Sequence, residues 1–319
     1  MLSRTAANLY WLARYMERAE NLARMLDVAE RTSLMPGGAL ADGVSDSDYN
    51  EWHSVLTASG NAAGFFASHD EPTREQVIHY LALDKSNPSS IRSCIETARN
   101  NARAVRTALT ADLWESLNQT WLDLIDTKRE EFRRGELQTF LDWVKERTLL
   151  FSGGATSTLL RGEGYRFLRL GTFVERADSS ARILDVKYHI LLPDDQHVGG
   201  AVDYYQWTAL LRSFSASRSF YHSYRSALTA GNIAEFMILS QEMPRSLTAC
   251  LAETHGLLEH LADLHGRHLE CHRLAGQLYS KLRYARIDDI FEQGLHEFLT
   301  GFIAQNTRVS DEIAVAYLS

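Results

Sequence analysis

Cysteine is scarce: Cys94, Cys250 and Cys271 are the only three in 319 residues. An odd number cannot all pair, and three are too few to staple a secreted scaffold, so a disulfide-built fold is excluded and a reducing cytoplasm is the expected compartment. Proline and glycine are also sparse, at five and nineteen, and they fall in a handful of places. That favours long helices over a many-stranded β architecture. No stretch reaches eighteen uncharged apolar residues, which removes a transmembrane helix. Arg4, Arg14, Glu17 and Arg18 interrupt the apolar positions of the first twenty residues, so these lack the apolar core of a signal peptide. No membrane contact is expected. Positive charge is in deficit, with 33 Lys and Arg against 41 Asp and Glu and a net charge of −8. Such a balance argues against a protein built to coat nucleic acid or anionic lipid, and no nucleic-acid partner is expected.

What remains is a globular composition, 45% hydrophobic and 23% charged, long enough to bury a sizeable core. Its most informative feature is a duplication. Residues 17–28 read ERAENLARMLDV and residues 175–186 read ERADSSARILDV, with eight identities in twelve. The relation continues downstream: Pro36 matches Pro193, Tyr49 and Trp52 match Tyr204 and Trp207, and Phe65 and Phe66 match Phe220 and Tyr221. Pro88, Ser90 and Cys94 then match Pro244, Ser246 and Cys250. The expected organisation is two tandem helical repeats, residues 1–152 and 153–319, in one all-α bundle with pseudo-twofold packing.

Within each copy the periodicity is helical. Leu9, Leu12, Met16, Ala19, Ala23 and Leu26 recur at steps of three and four, so residues 1–32 read as a long amphipathic helix with its charges on the other arc. Its counterpart is expected from about Gly164 to Leu192, ended by Pro193. The Gly-, Pro- and Asp-rich stretches 33–48 and 193–203 read as loops. Further helices are expected over Tyr49–His69, Arg74–Leu83, Pro88–Leu109, Asp112–Asn118, Trp121–Arg134 and Leu137–Phe151. The second copy repeats them over Tyr204–Thr229, Ile233–Glu242, Pro244–Asp263, Gly266–Tyr284 and Ile287–Leu318. Pro88-Ser89-Ser90 has the look of a helix cap. Phe151–Gly164 has glycines and hydroxyls ahead of a helix but no Gly-Lys-Ser/Thr, and reads as the linker between copies rather than a phosphate cradle.

On the first helix Glu17, Asn21 and Arg24 fall within about 60° of one another, with Arg14 just beyond. A ladder from Arg14 to Glu17 and on to Asn21 or Arg24 is therefore available within the helix. The second copy keeps Glu175, Arg176, Arg182 and Asp185 in the same register. A solvated, salt-bridged face does not require the same residues in both copies. Two specific readings remain open: a buried ion-pair network joining the two motif helices, or a charged cleft. In the cleft, Glu17, Arg18, Glu175 and Arg176 would be catalytic candidates and Arg14, Asn21, Arg24, Arg182 and Asp185 substrate-binding ones.

The segments LSRTAANLYWLARYMERAENLARMLDV and FLRLGTFVERADSSARILDVKYH, with IRSCIETARNNARAVR, WESLN and MPRSLTACL, make the chain resemble the bacterial alpha-E domain family along its full length. That family is all-helical and takes its name from its Glu-Arg motifs. The resemblance implies genomic company with circularly permuted ATP-grasp proteins and transglutaminase-like proteins. It further implies a role beside an ATP-dependent, amide-bond-forming ligase in making a peptide or a peptide-modified metabolite. It assigns no chemical role to Glu17, Arg18, Glu175 or Arg176; the sequence itself requires no cofactor and names none.

Other clusters are weaker. His265, His268 and His272 step by three and four and would share a helical face able to ligate zinc, with Asp263 or Cys271 in reach, although Gly266 interrupts. Solvent-facing histidines are the plainer reading, and no metal is expected. Arg92, Arg99, Arg103 and Arg106 form a basic stripe suited to a solvated face or an acidic partner. Cys94 and Cys250 read as packing residues, and Trp52, Trp114, Trp121, Trp143 and Trp207 as core or interface. The leading functional expectation is an accessory protein for an ATP-grasp ligase; the alternative is an enzyme whose duplicated Glu-Arg motifs line its cleft.

Overall fold

No glycine or proline interrupts the chain between Ser3 and Ser33, and the first helix, α1 (Ser3–Ser33), runs unbroken over that length. A computed structural model describes residues 1–33, 51–127, 136–191, 201–224 and 228–319. After α1 come α2 (Glu51–Ala58), α3 (Ala62–Phe66), α4 (Arg74–Ala82), α5 (Ile91–Ala104), α6 (Ala111–Ile125) and α7 (Glu136–Thr158). The second half supplies α8 (Glu163–Leu191), α9 (Ala201–Ser213), α10 (Ser217–Ser223), α11 (Ala230–Leu239), α12 (Leu247–His265), α13 (Glu270–Arg283), α14 (Ile287–Gln293) and α15 (Leu295–Ile313). The fold is all-α, with no strand among the described residues. None of its described helices is long and apolar enough to cross a membrane.

Helices α1 and α8 form the centre. Tyr10 lies at Gly171, Glu17 at Arg176 and Asn21 at Ser179, so the two run side by side in the same direction. Helices α5, α7 and α9 cover α1, while α12, α15 and α2 cover α8. A Cβ at Gly171 would run into the Tyr10 carbonyl, so the two backbones come close together at this glycine. The amphipathic reading of α1 is corrected here. From Ala19 to Glu30 every residue is buried, charged ones included, because neighbours close on all its faces.

Several boundaries differ from expectation for local reasons. The helix expected over Tyr49–His69 breaks between α2 and α3 at Gly60, and its counterpart breaks between α9 and α10 at Ser215, with φ of +71° and 56°. Left-handed backbone of this kind ends a helix, and it is rare for serine. The two helices expected over 112–134 are one, α6, as far as Ile125. The expected linker shrinks to Leu159–Gly162, because Gly153 and Gly154 stay inside α7. Gly266 caps α12 in the left-handed conformation, which delays α13 to Glu270, and Gly294 splits the last helix. The cap at Pro88-Ser89-Ser90 is present, with the Ser90 side chain accepting from the Ser93 amide, and Ser246 does the same for Ala249. Residues 34–48 and 193–200, expected as loops, lie outside the described residues, along with Pro36, Tyr49 and Pro193; Ala201–Asp203 already belong to α9. Trp52 and Trp207 are buried, while Trp114, Trp121 and Trp143 pack at the core margin.

Gly171→Ala should destabilise the chain by about 1–3 kcal/mol through overpacking, despite the better helix propensity of alanine. Gly301→Ala in α15, where nothing lies in the path of a new methyl, should instead be neutral or stabilising. Thermal unfolding of the two variants measures both, and equal shifts would contradict the close crossing.

Candidate functional site

The duplicated signatures meet at the α1–α8 contact, and they pair across it rather than along each helix. Arg176 binds Glu17 at two points, Nε to Oε1 and Nη2 to Oε2, both at 2.8 Å. Arg18 does the same to Glu175, with Nε to Oε1 at 2.6 Å and Nη2 to Oε2 at 3.1 Å. Each motif thus gives its glutamate to the other motif's arginine. Planar guanidinium and carboxylate match in shape, which fixes the register of the two helices as well as their charge balance.

Each glutamate receives one more arginine, and the two come from unrelated places. Arg14, one turn before Arg18, donates Nε to Glu175 Oε2 at 2.7 Å and Nη1 to the Ser310 hydroxyl of α15 at 2.7 Å. Arg245, just ahead of α12, donates Nη1 to Glu17 Oε1 at 2.9 Å and Nη2 to Glu20 Oε1. Arg24 also binds Glu20, and reaches the Ser213 carbonyl at the end of α9. In the other copy Arg182 binds Asp178 at 2.6 Å and the Ala58 carbonyl at the end of α2 at 3.3 Å. Asn21 donates to the Ser179 hydroxyl between the two helices.

The ladder expected within α1 does not form. Arg14 and Glu17 both turn to α8, and Arg24 pairs backwards with Glu20. Asp185 pairs with His296 at 2.7 Å, farther along α8. Arg245 and Glu20 were not singled out in the sequence. MPRSL, around Arg245, belongs to a segment matched between copies, but Ser89 stands at the aligned place in the first copy, so the duplication gave no signal for the arginine.

Only 5% of Glu17 and 3% of Glu175 is exposed. Burial alone would push the Glu17 carboxyl up, but Arg176 and Arg245 outweigh it and hold it at about 2. Burial opposes ionisation of Glu175 as well, and Arg18 and Arg14 bring it below the ordinary carboxylate range. Burial works against the charge on Arg18 and Arg176, yet Glu175 and Glu17 raise both above the usual arginine value. All four groups are thus held as permanent ions, with no proton to exchange near neutral pH.

The remaining clusters separate. His265 Nε2 donates to the Glu163 carboxylate, 2.8 Å away, and His268 Nε2 lies 3.1 Å from Glu259. His272 is buried in the first turn of α13, where Nδ1 accepts from the Leu269 amide and Nε2 lies 3.2 Å from the Tyr317 hydroxyl. The shared helical face expected for the three is corrected by the break at Gly266. Among the described residues no three His, Cys, Asp or Glu groups converge as metal ligands. The basic stripe of α5 and the turn after it lies along α6, with Arg92 over Trp121, Arg99 on Asn118 at 2.8 Å and Arg106, beyond the end of α5, over Trp114, while Arg103 and Arg106 are exposed. Cys94 and Cys250 are buried, and desolvation pushes both thiols up to about 12, which suits packing and disfavours a nucleophile.

Fold and site together define an all-α domain whose central helix pair is locked by an exchange of Glu-Arg motifs. The chain belongs to the Alpha-E family, described as a predicted alpha-helical domain with a conserved ER motif, and the match runs over residues 1–318. It is also similar to uncharacterized proteins of Mycobacterium bovis and of two strains of Mycobacterium tuberculosis, at 23% identity over 99% of this chain. The match covers 37% of each of those proteins, so the chain spans well under half the length of these curated relatives. No solved structure matches it.

Glu17→Gln should cost about 3–5 kcal/mol, because Arg176 and Arg245 lose a buried counter-charge. The Glu17 contribution is complete above the ordinary glutamate value of 4.5 and disappears as the pH falls through about 2. Melting temperatures followed by circular dichroism should therefore fall steeply over that acid window in the native chain and less steeply in Glu17→Gln. Parallel curves would remove Glu17 from the acid response.

Proposed function

We propose that the chain is a helical accessory protein that works beside a circularly permuted ATP-grasp ligase in the biosynthesis of a peptide or peptide-modified metabolite, with a transglutaminase-like protein in the same system. The observation that carries this reading is the closure of the Glu-Arg exchange. Every carboxylate of the two motifs is buried, ionised and held by two arginines, which suits a structural clamp and leaves no free acid or base. The same saturation counts against the alternative of an enzyme using these four residues as its catalytic groups. The mycobacterial relatives carry the matching region as a minor part of a longer chain, which fits a module that acts with other domains.

The two copies are proposed to pack about a pseudo-twofold axis between α1 and α8. In support, residues aligned by the duplication make matching contacts: Arg24 on the Ser213 carbonyl and Arg182 on the Ala58 carbonyl, Ser90 and Ser246 as caps, Gly60 and Ser215 at left-handed breaks.

Co-expression with a circularly permuted ATP-grasp protein from the same source tests the partnership. A complex that survives size-exclusion chromatography, and ATP turnover by the ligase that changes when this chain is added, are the expected results. Absence of both would end the proposal.

A further inference from the structure

Helix α12 lies antiparallel to α8, with His265 on Glu163 at one end and Arg245 beside Arg176 on Glu17 Oε1 at the other. Between those contacts a cleft of about 500 Å³ opens along the pair. That is the size of a small-molecule or short-peptide site. The duplication shows how it came to be open. At the place aligned with Arg169 of α8 the first copy has Trp11, packed against the core, and where α12 has Ala252 and Gly256 the first copy has Glu96 and Asn100 on α5. The first exchange trades an indole for a charge, and the other two remove bulk. A Cβ at Gly256 would meet nothing within 4 Å.

Arg169 is the unmatched charge in this wall. It is half-buried, its guanidinium lies 4.5 Å from the ring centre of Phe173, and among the described residues it makes no hydrogen bond or ion pair. Arg18, Arg176 and Arg182 on the same helix pair each have a carboxylate. A guanidinium laid on a ring face keeps its N–H edges free, and a carboxylate fits that fork at two points. The cleft also holds two acids, Glu242 and Glu253, both exposed and without a cation among the described residues. Glu242 stands at the Arg176 end, three residues before Arg245, and Glu253 lies between the ends. Phe173, Ala249, Ala252 and Leu257 make the wall between the charges apolar.

We infer that this cleft binds a short peptide with both ends free, its carboxylate on Arg169 and its ammonium toward Glu242 and Glu253. A ligand of one charge sign alone sets either the acids or Arg169 against a like charge, whereas a zwitterion answers both. Length selects a peptide over a single amino acid. Arg169 and Arg176 are two helical turns apart, about 10 Å, and three extended residues at roughly 3.3 Å each cover that distance. An apolar side chain on the last residue packs on Phe173 and Leu257. The inference does not rest on a ligase partner, and the isolated chain is enough to test it.

Isothermal titration of the full chain with the tripeptide Ala-Ala-Leu, with its C-terminal amide, with its N-acetyl form, with free leucine and with inorganic phosphate reads the site. One equivalent of Ala-Ala-Leu should bind. Blocking either end, or shortening the ligand to leucine, should weaken binding about tenfold or more, the equivalent of one charge-assisted hydrogen bond. Arg169→Gln should weaken the free tripeptide by the same factor and leave the amide unchanged. Glu242→Gln combined with Glu253→Gln should weaken the free tripeptide and leave the N-acetyl form unchanged. Gly256→Leu should fill the cleft and abolish uptake without lowering the melting temperature, because its side chain enters open space and glycine is the poorer helix former. No uptake of Ala-Ala-Leu at millimolar concentration, equal binding of a blocked form or of leucine, preference for phosphate, or binding unchanged in Arg169→Gln, in the double Gln variant or in a folded Gly256→Leu would each overturn the inference.

Discussion

A carboxylate taken out of water must be given charged donors, and in this protein those donors lie on the other central helix. Glu17 and Glu175 are each surrounded by protein, and each is held ionised by an arginine more than 150 residues away in the chain. The exchange works only if α1 and α8 lie parallel, in contact, and in one register. A slide by one turn would leave two carboxylates and two guanidiniums buried without partners, at several kcal/mol each. The close approach at Gly171 lets the helices come near enough for the arginines to reach. The surrounding helices then exclude water from the pairs and complete the burial of α1.

Buried ion pairs gain little net stability over a well-packed apolar contact, because the desolvation they suffer is comparable to the attraction they recover. Their consequence is specificity. Apolar side chains between two long helices tolerate several registers, whereas a two-point Glu–Arg pair tolerates one. Here the same device is used twice, in opposite directions, so that each half of the chain is held by the other. The second arginine on each glutamate breaks the likeness: Arg14 comes from α1 itself, and Arg245 comes from the entrance to α12. Thr172 and Ser89 stand at the aligned positions and reach neither glutamate. The two halves therefore share a scaffold and differ in what closes it.

Much of the fold was legible. The three- and four-residue spacing of Leu9, Leu12, Met16, Ala19 and Ala23, with no glycine or proline, points to a helix, and α1 runs unbroken from Ser3 to Ser33. Breaks were harder to see. Ser215 takes a left-handed backbone that serine seldom adopts, and Gly153 and Gly154 stay helical inside α7 where glycines usually mark a loop. The histidines at 265, 268 and 272 have helical spacing, but left-handed Gly266 ends α12 after His265 and α13 starts only at Glu270, so they do not share one helix face. Among the site residues, Glu17, Arg18, Glu175 and Arg176 could be found because the duplication repeats them. Arg245 could not, since it is exactly where the copies differ.

The linear order of residues determined that the chain is helical, that it is doubled, and that each copy carries an acid next to a base on its longest helix. These are local properties, set by periodicity and by residues close together in the chain. Which arginine meets which glutamate is not local. Arg14 stands one turn from Glu17, yet it binds Glu175, because the packing of α1 against α8 brings that distant carboxylate within 2.7 Å of its Nε. Only the packed structure could decide that pairing.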